Sequence, residues 1–106
     1  MKKLFKVETY LPEEALDTIK NALYELGLGK VGYYDCCLSW WKINSSWRAK
    51  EGAKPYLGKI NEIEFVPEYK LEFRCNEEDL QKAVNTIKSN HPYETVCINI
   101  IPLIEL

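Results

Sequence analysis

The chain contains two copies of one pattern. Shifted by 64 positions, residues 5–27 lie over residues 69–91 without a gap. Lys6 meets Lys70, Glu8 meets Glu72, Glu13 and Glu14 meet Glu77 and Glu78, Leu16 meets Leu80, and Asn21 meets Asn85. Phe5/Tyr69, Val7/Leu71 and Leu23/Ile87 are conservative pairs. These 6 identities in 23 positions exceed the roughly one or two that composition alone gives. Such a repeat limits the chain to architectures assembled from two like supersecondary units.

Each copy reads as strand, helix, strand. Phe5, Val7 and Thr9 alternate with Lys6, Glu8 and Tyr10, the period-two signature of a strand with one buried face. Pro12 suits a first helical turn, where its missing N–H costs nothing, and Glu13 and Glu14 sit against the positive end of the helix dipole. Leu16, Ile19, Leu23 and Leu26 recur at helical spacing, and Gly27 is a natural stop. Residues 31–41 return to strand character. In the second copy Tyr69, Leu71, Phe73 and Cys75 alternate with Lys70, Glu72 and Arg74. Asn76 is a good N-cap with Asp79 at N3, and Leu80, Ala83, Val84 and Ile87 make the apolar stripe. Asn90, His91 and Pro92 stop that helix, and Val96, Ile98 and Ile100 form one face of a last strand.

Two such units in series predict β-α-β-β-α-β, the ferredoxin-like plait of the α+β class, as a single domain over residues 1–106. Helices cover only one face of its sheet. The other face is expected to carry Lys6, Glu8, Tyr10, Tyr33, Asp35, Cys37, Ser39, Lys70, Glu72, Arg74, Cys97 and Asn99, either solvated or packed on another subunit. Between the middle strands, residues 42–60 far exceed the two to five residues of a plain hairpin loop, so they form an excursion of functional length. Trp40, Trp41, Trp47 and Tyr56 cluster around it, either as a binding surface or folded back over the domain's own core. The apolar tail from Ile100 to Leu106 is expected to dock on a neighbouring chain, which makes the protein an oligomer.

Composition removes several function classes. Lys and Arg total 14 against 16 Asp and Glu, a net charge of −2. With no basic cluster to meet a phosphate backbone, nucleic acid is not an expected partner. An apolar content of 46% supports a real core and argues against wholesale disorder. No apolar run approaches the ~18 residues of a membrane span, and the start from Met1 to Glu8 lacks a signal peptide's apolar stretch and cleavage site. No membrane partner and a cytoplasmic location are therefore expected. Cys36, Cys37, Cys75 and Cys97 contain no Cys-x-x-Cys pair. They are expected as free, mostly buried thiols, with Cys36 and Cys37 on a strand and pointing to opposite faces. The glycine run from Gly27 to Gly32 follows a helix and enters a strand, the wrong context for a dinucleotide loop. Tyr10-Leu11-Pro12-Glu13 has no Arg to serve an acylphosphatase-type site. His91 is the one histidine, so a site of several histidines cannot be built within one chain.

Three stretches resemble one family. Gly32-Tyr33-Tyr34-Asp35-Cys36-Cys37 resembles its G-x-Y-x-x-C strand, and Glu51-Gly52-Ala53-Lys54-Pro55-Tyr56-Leu57-Gly58 resembles its E-G-x-x-P-F/Y-x-G loop. His91-Pro92-Tyr93-Glu94 resembles its H-P-Y-E turn. The family is the PII-like insert domain of the NIF-three-like (YqfO-type) proteins, whose fold is shared with the CutA and PII signalling proteins. The likeness runs from Lys6 to Pro102. It implies a plait that assembles into trimers with the open sheet faces turned inward. It implies no activity, because the two-metal centre of the larger proteins lies in a flanking core absent from these residues. Their cyclohydrolase or hydrolase label does not carry over. The position before the motif cysteine, often His in the family, is Cys36 here, which alters any site that histidine serves.

In a plait of this kind the turn 91–94 lies at the base of the excursion, and in PII-type trimers that place adjoins an intersubunit cleft. The expected function is a non-enzymatic, PII/CutA-like homotrimeric module. It would bind a small ligand, metal ion or protein partner through Trp47, Tyr56, His91, Tyr93 and Glu94. His91, Glu94 and Cys37 are the candidate donors for a divalent metal ion. The plainer account of His91 is a helix-end residue in favourable contact with the dipole. The rival class is a metal-handling protein or enzyme using Cys37, His91 and Glu94, which the spacing does not demand. A purely structural interaction domain is the third.

Overall fold

The computed structural model describes residues 3–106; Met1 and Lys2, the head of the start read above, lie outside the described residues. Strand β1 (Leu4–Leu11) leads through a 3-10 turn (Glu13–Ala15) into helix α1 (Leu16–Glu25). Strands β2 (Ser39–Arg48) and β3 (Ile63–Asn76) form a long ribbon. A second 3-10 turn (Glu77–Asp79) opens helix α2 (Leu80–Asn90), and β4 (Ile98–Leu103) completes the sheet. The strand order is β2-β3-β1-β4, with every neighbouring pair antiparallel. This is the ferredoxin-like plait that the repeat predicts.

Alternation along the strands decides what is buried. Val7, Thr9 and Leu11 of β1 and Leu71, Phe73 and Cys75 of β3 lie beneath Leu16, Ile19, Leu23, Ala83 and Ile87 of the helices. Each fully buried aliphatic side chain contributes about 1.5–3 kcal/mol. Thr9 is polar, and its hydroxyl donates to the Cys97 carbonyl at 2.8 Å. Helix α1 ends where Gly27 adopts φ +63°. The Leu28 and Gly27 amides bond back to the Leu23 and Tyr24 carbonyls at 3.2 and 2.9 Å. That paired closure requires the left-handed backbone that glycine adopts without strain.

Strand β2 starts at Ser39 rather than at residue 31. Residues 28–37 fold into a tight loop instead. The Cys36 and Cys37 amides bond to the Leu28 and Gly29 carbonyls at 2.8 and 3.0 Å, and Val31 pairs with Tyr34 at the tip. Positive φ at Gly29, Gly32 and Cys36 breaks the extended backbone that a strand needs. Tyr33, Asp35 and Cys37 are therefore not on the open sheet face, and Cys36 and Cys37 are not strand neighbours. Of the four free thiols only Cys75 is buried; Cys36 and Cys37 are half-buried and Cys97, which precedes β4, is exposed.

The excursion is also shorter than 42–60. The β2–β3 ladder continues to the Arg48–Ile63 pair, so only residues 49–62 connect the two strands. Asn76 stands before the second helical segment but makes no side-chain cap bond. Its expected partner Asp79 is buried and takes Lys30 Nζ at 3.0 Å, tying the loop after α1 to the start of α2.

On the open face, Glu8 is only 6% exposed. Lys70 Nζ lies 3.3 Å and Lys6 Nζ 4.0 Å from its carboxylate, and the Asn99 amide donates to it at 3.0 Å. The Asn99 bond, with the two lysines, holds the Glu8 carboxyl below its ordinary value, against the opposing effect of burial. No helix among the described residues is long and apolar enough to cross a membrane.

Candidate functional site

Four segments meet at the root of the β2–β3 ribbon. Trp47 comes from the far end of β2, Tyr56 from the 49–62 connection, His91 to Glu94 from the turn after α2, and Glu68 from β3. With Tyr10 of β1, the side chains of Trp47, Tyr56, Glu68, Tyr93 and Glu94 line a cleft of about 400 Å³. His91 stands in its neighbourhood, packed on Tyr93 at 4.6 Å between ring centroids.

The turn is fixed by the histidine. Pro92 disfavours helical backbone at the residue before it, and His91 is extended (φ −97°, ψ 134°). Its ring then bridges two stretches of main chain. Nδ1 accepts the Tyr93 amide at 3.2 Å, and Nε2 lies 2.7 Å from the Tyr10 carbonyl. An acceptor at Nδ1 and a donor at Nε2 define the neutral tautomer protonated on Nε2. Burial holds the imidazole below its ordinary 6.5, with the Tyr10 bond and the Glu68 charge acting the other way.

Tyr93 is the hub. Its ring makes an edge contact with Trp47 at 5.6 Å and a tilted one with Tyr56 at 5.7 Å; such pairs are each worth about 0.5–1.5 kcal/mol beyond their buried area. Its hydroxyl donates to Glu68 Oε2 at 2.6 Å. Burial, then the bond to Glu68, pushes the Tyr93 phenol well above its ordinary range, so it stays a donor. Glu94 faces the connection, where its Oε2 accepts the Lys54 amide at 2.9 Å. Trp47 Nε1 donates to the Leu57 carbonyl at 3.3 Å, and the Asn61 amide bonds to the Ala49 carbonyl at 2.7 Å. The connection is thus pinned at its middle and both ends.

The structure gathers Trp47, Tyr56, His91, Tyr93 and Glu94 in one place. It does not gather the candidate metal donors. Cys37 belongs to the loop after α1, its Sγ 3.5 Å from the Asp35 carbonyl, and both nitrogens of His91 are engaged by main chain. Among the described residues no three His, Cys, Asp or Glu side chains come together as a metal-holding group. Tyr10 and Glu68 are among the cleft residues that a reading of the sequence for site residues misses. Tyr10 reads only as an alternating strand residue, and Glu68 reads as one more charge beside Pro67. The period-two pattern puts Glu68 on the face away from the helices, but nothing in it says that the ribbon buries that carboxylate.

No protein-family model matches the chain. A curated relative, the GTP cyclohydrolase 1 type 2 homolog of Staphylococcus epidermidis, is 36% identical over 99 residues, covering 93% of this chain and 27% of the relative. A solved Bacillus cereus protein related to NIF3 superposes with a TM-score of 0.85 at 23% identity, covering 98% of this chain and 26% of that one. The divalent ion tolerance protein CutA1 of Ehrlichia chaffeensis superposes with a TM-score of 0.74 at 25% identity, covering 100% of this chain and 86% of that one. The fold is that of a CutA-like α+β domain. By sequence the chain is similar to one part of the GTP cyclohydrolase 1 type 2 homologs, and it spans about a quarter of the length of the curated relatives it matches.

Proposed function

We propose that the chain is a non-enzymatic, PII/CutA-like homotrimeric binding module of the cytoplasm. In this reading it takes a small ligand in the cleft at the root of the ribbon, with Trp47, Tyr56, His91, Tyr93 and Glu94 around it. The cleft itself carries the reading: about 400 Å³, lined by aromatic rings with a few fixed polar groups, is the size and chemistry of a small-molecule site. Binding is favoured over catalysis because His91 has both ring nitrogens committed to main chain and is not free to act as a general base. Four free cysteines agree with a reducing compartment.

Self-association is supported by the sheet edges. Strands β2 and β4 have no outer partner among the described residues. Ile100, Ile101, Ile104 and Leu106 are exposed on and beyond β4, a combination that invites pairing with another chain. Light scattering at micromolar concentration should give the mass of three chains, and a thermal-shift screen of small metabolites should find ligands that stabilise the protein. A monomer overturns the assembly. A folded protein that no ligand stabilises overturns the cleft reading and leaves a structural interaction domain.

A further inference from the structure

The cleft contains one buried charge that no cation among the described residues balances. Glu68 is 4% exposed, on a wall shared with Tyr10, Trp47, Tyr56 and Tyr93. Its donor is the neutral Tyr93 phenol, and among the described residues no salt bridge reaches it. The other buried carboxylates are treated differently. Glu8 has Lys70 and Lys6, and Asp79 has Lys30. Removing a carboxylate from water costs several kcal/mol unless a cation or a full set of donors replaces the solvent.

The surrounding rings favour the same sign of charge, because an aromatic face attracts cations. The sheet already uses that attraction elsewhere, with Lys20 Nζ 3.9 Å from the Trp40 ring centre and Lys70 Nζ 5.3 Å from that of Trp41. Arg48 and Lys50 also line the cleft, but both are exposed, where water and salt screen them. Glu94, exposed as well, already accepts the Lys54 amide. The buried carboxylate and the rings therefore set the preference of the deep part of the cleft.

We propose, on the reading that this cleft is the ligand site, that its ligand is a small organic cation. An ammonium or amidinium group would sit against Glu68, carried on a flat apolar body lying among Trp47, Tyr56 and Tyr93. The cation would supply the charge that Glu68 lacks, and the phenol of Tyr93 would keep the carboxylate aimed at it.

Calorimetric titration of the full chain in the presence of a chelator tests this with three probes of one shape: benzylammonium, benzyl alcohol and benzoate. The cation should bind at least about tenfold more tightly than the alcohol, and benzoate least of all. Glu68→Gln should abolish the preference, while Tyr93→Phe, which keeps the carboxylate, should retain it; circular dichroism confirms that each variant is folded. Should Glu68→Gln not fold, the wild-type order of the three probes and the Tyr93→Phe result decide. Benzoate or the alcohol binding as well as the cation overturns the cation proposal but leaves a ligand cleft. No binding by any probe overturns the proposal, and the cleft reading falls only if the wider screen also fails. Zinc or magnesium, titrated alone without chelator, binding more tightly than the amine and losing that binding in Glu68→Gln also overturns it.

Discussion

His91 commits both ring nitrogens to main chain, one to the Tyr10 carbonyl of β1 and one to the Tyr93 amide of its own turn. It is therefore the pin that holds the Tyr93 hub against the sheet. His91→Ala leaves a carbonyl and an amide without their partner, and should cost about 1–3 kcal/mol in urea denaturation. The same residue gives stability a pH dependence. In the fold the imidazole is held below 6.5, so the unfolded chain takes up a proton first as pH falls. Native stability should then decline as pH drops through 6.5 and level off below the folded value, and His91→Ala should lack that decline. Parallel slopes for the two proteins between pH 8 and pH 5 would refute the assignment. The importance of this position is legible in the sequence, since a lone histidine before Pro92 marks a helix end. Its two bonds are not, because the Tyr10 carbonyl is reached only through the sheet.

At the scale of elements, β1, both helices and the core half of β3 could be read directly, because Val7, Thr9 and Leu11 or Leu71, Phe73 and Cys75 alternate while Leu16, Ile19 and Leu23 follow helical spacing. The errors fall where that patterning lacks force. Tyr33-Tyr34-Asp35-Cys36 looks like a strand by composition, yet positive φ at Gly32 and Cys36 turns it into a finger. Conversely, Asn44-Ser45-Ser46 looks like a turn but is paired strand. That part of the ribbon runs past the helices and has no core to demand apolar residues, so backbone pairing alone holds it. The finger is anchored at Gly29, where an added Cβ would stand 2.8 and 2.9 Å from the Cys37 carbonyl oxygen and amide nitrogen, at φ +78°. Gly29→Ala combines left-handed strain with a main-chain clash. It should destabilise by about 1–3 kcal/mol, visible as a lower melting temperature; an unchanged one would mean that the finger is not closed against residue 37.

Considered whole, the molecule is a body of 46 × 24 × 22 Å whose sheet has a particular wiring. Strand β1 pairs with β3 and β4, and β2 pairs with β3. Every ladder among the described residues therefore joins one repeat to the other, and none lies within a repeat. A chain cut inside residues 49–62 should give two pieces that show no sheet spectrum separately and recover it when mixed one to one, since loop closure is the only link removed. A first piece that folds alone as a monomer would contradict this. A single copy of the repeated unit has strands but no ladder of its own to pair them in. The repeat marked by Lys6 and Lys70 thus sets two incomplete half-sheets in one chain, each completing the other as the two members of a dimer do.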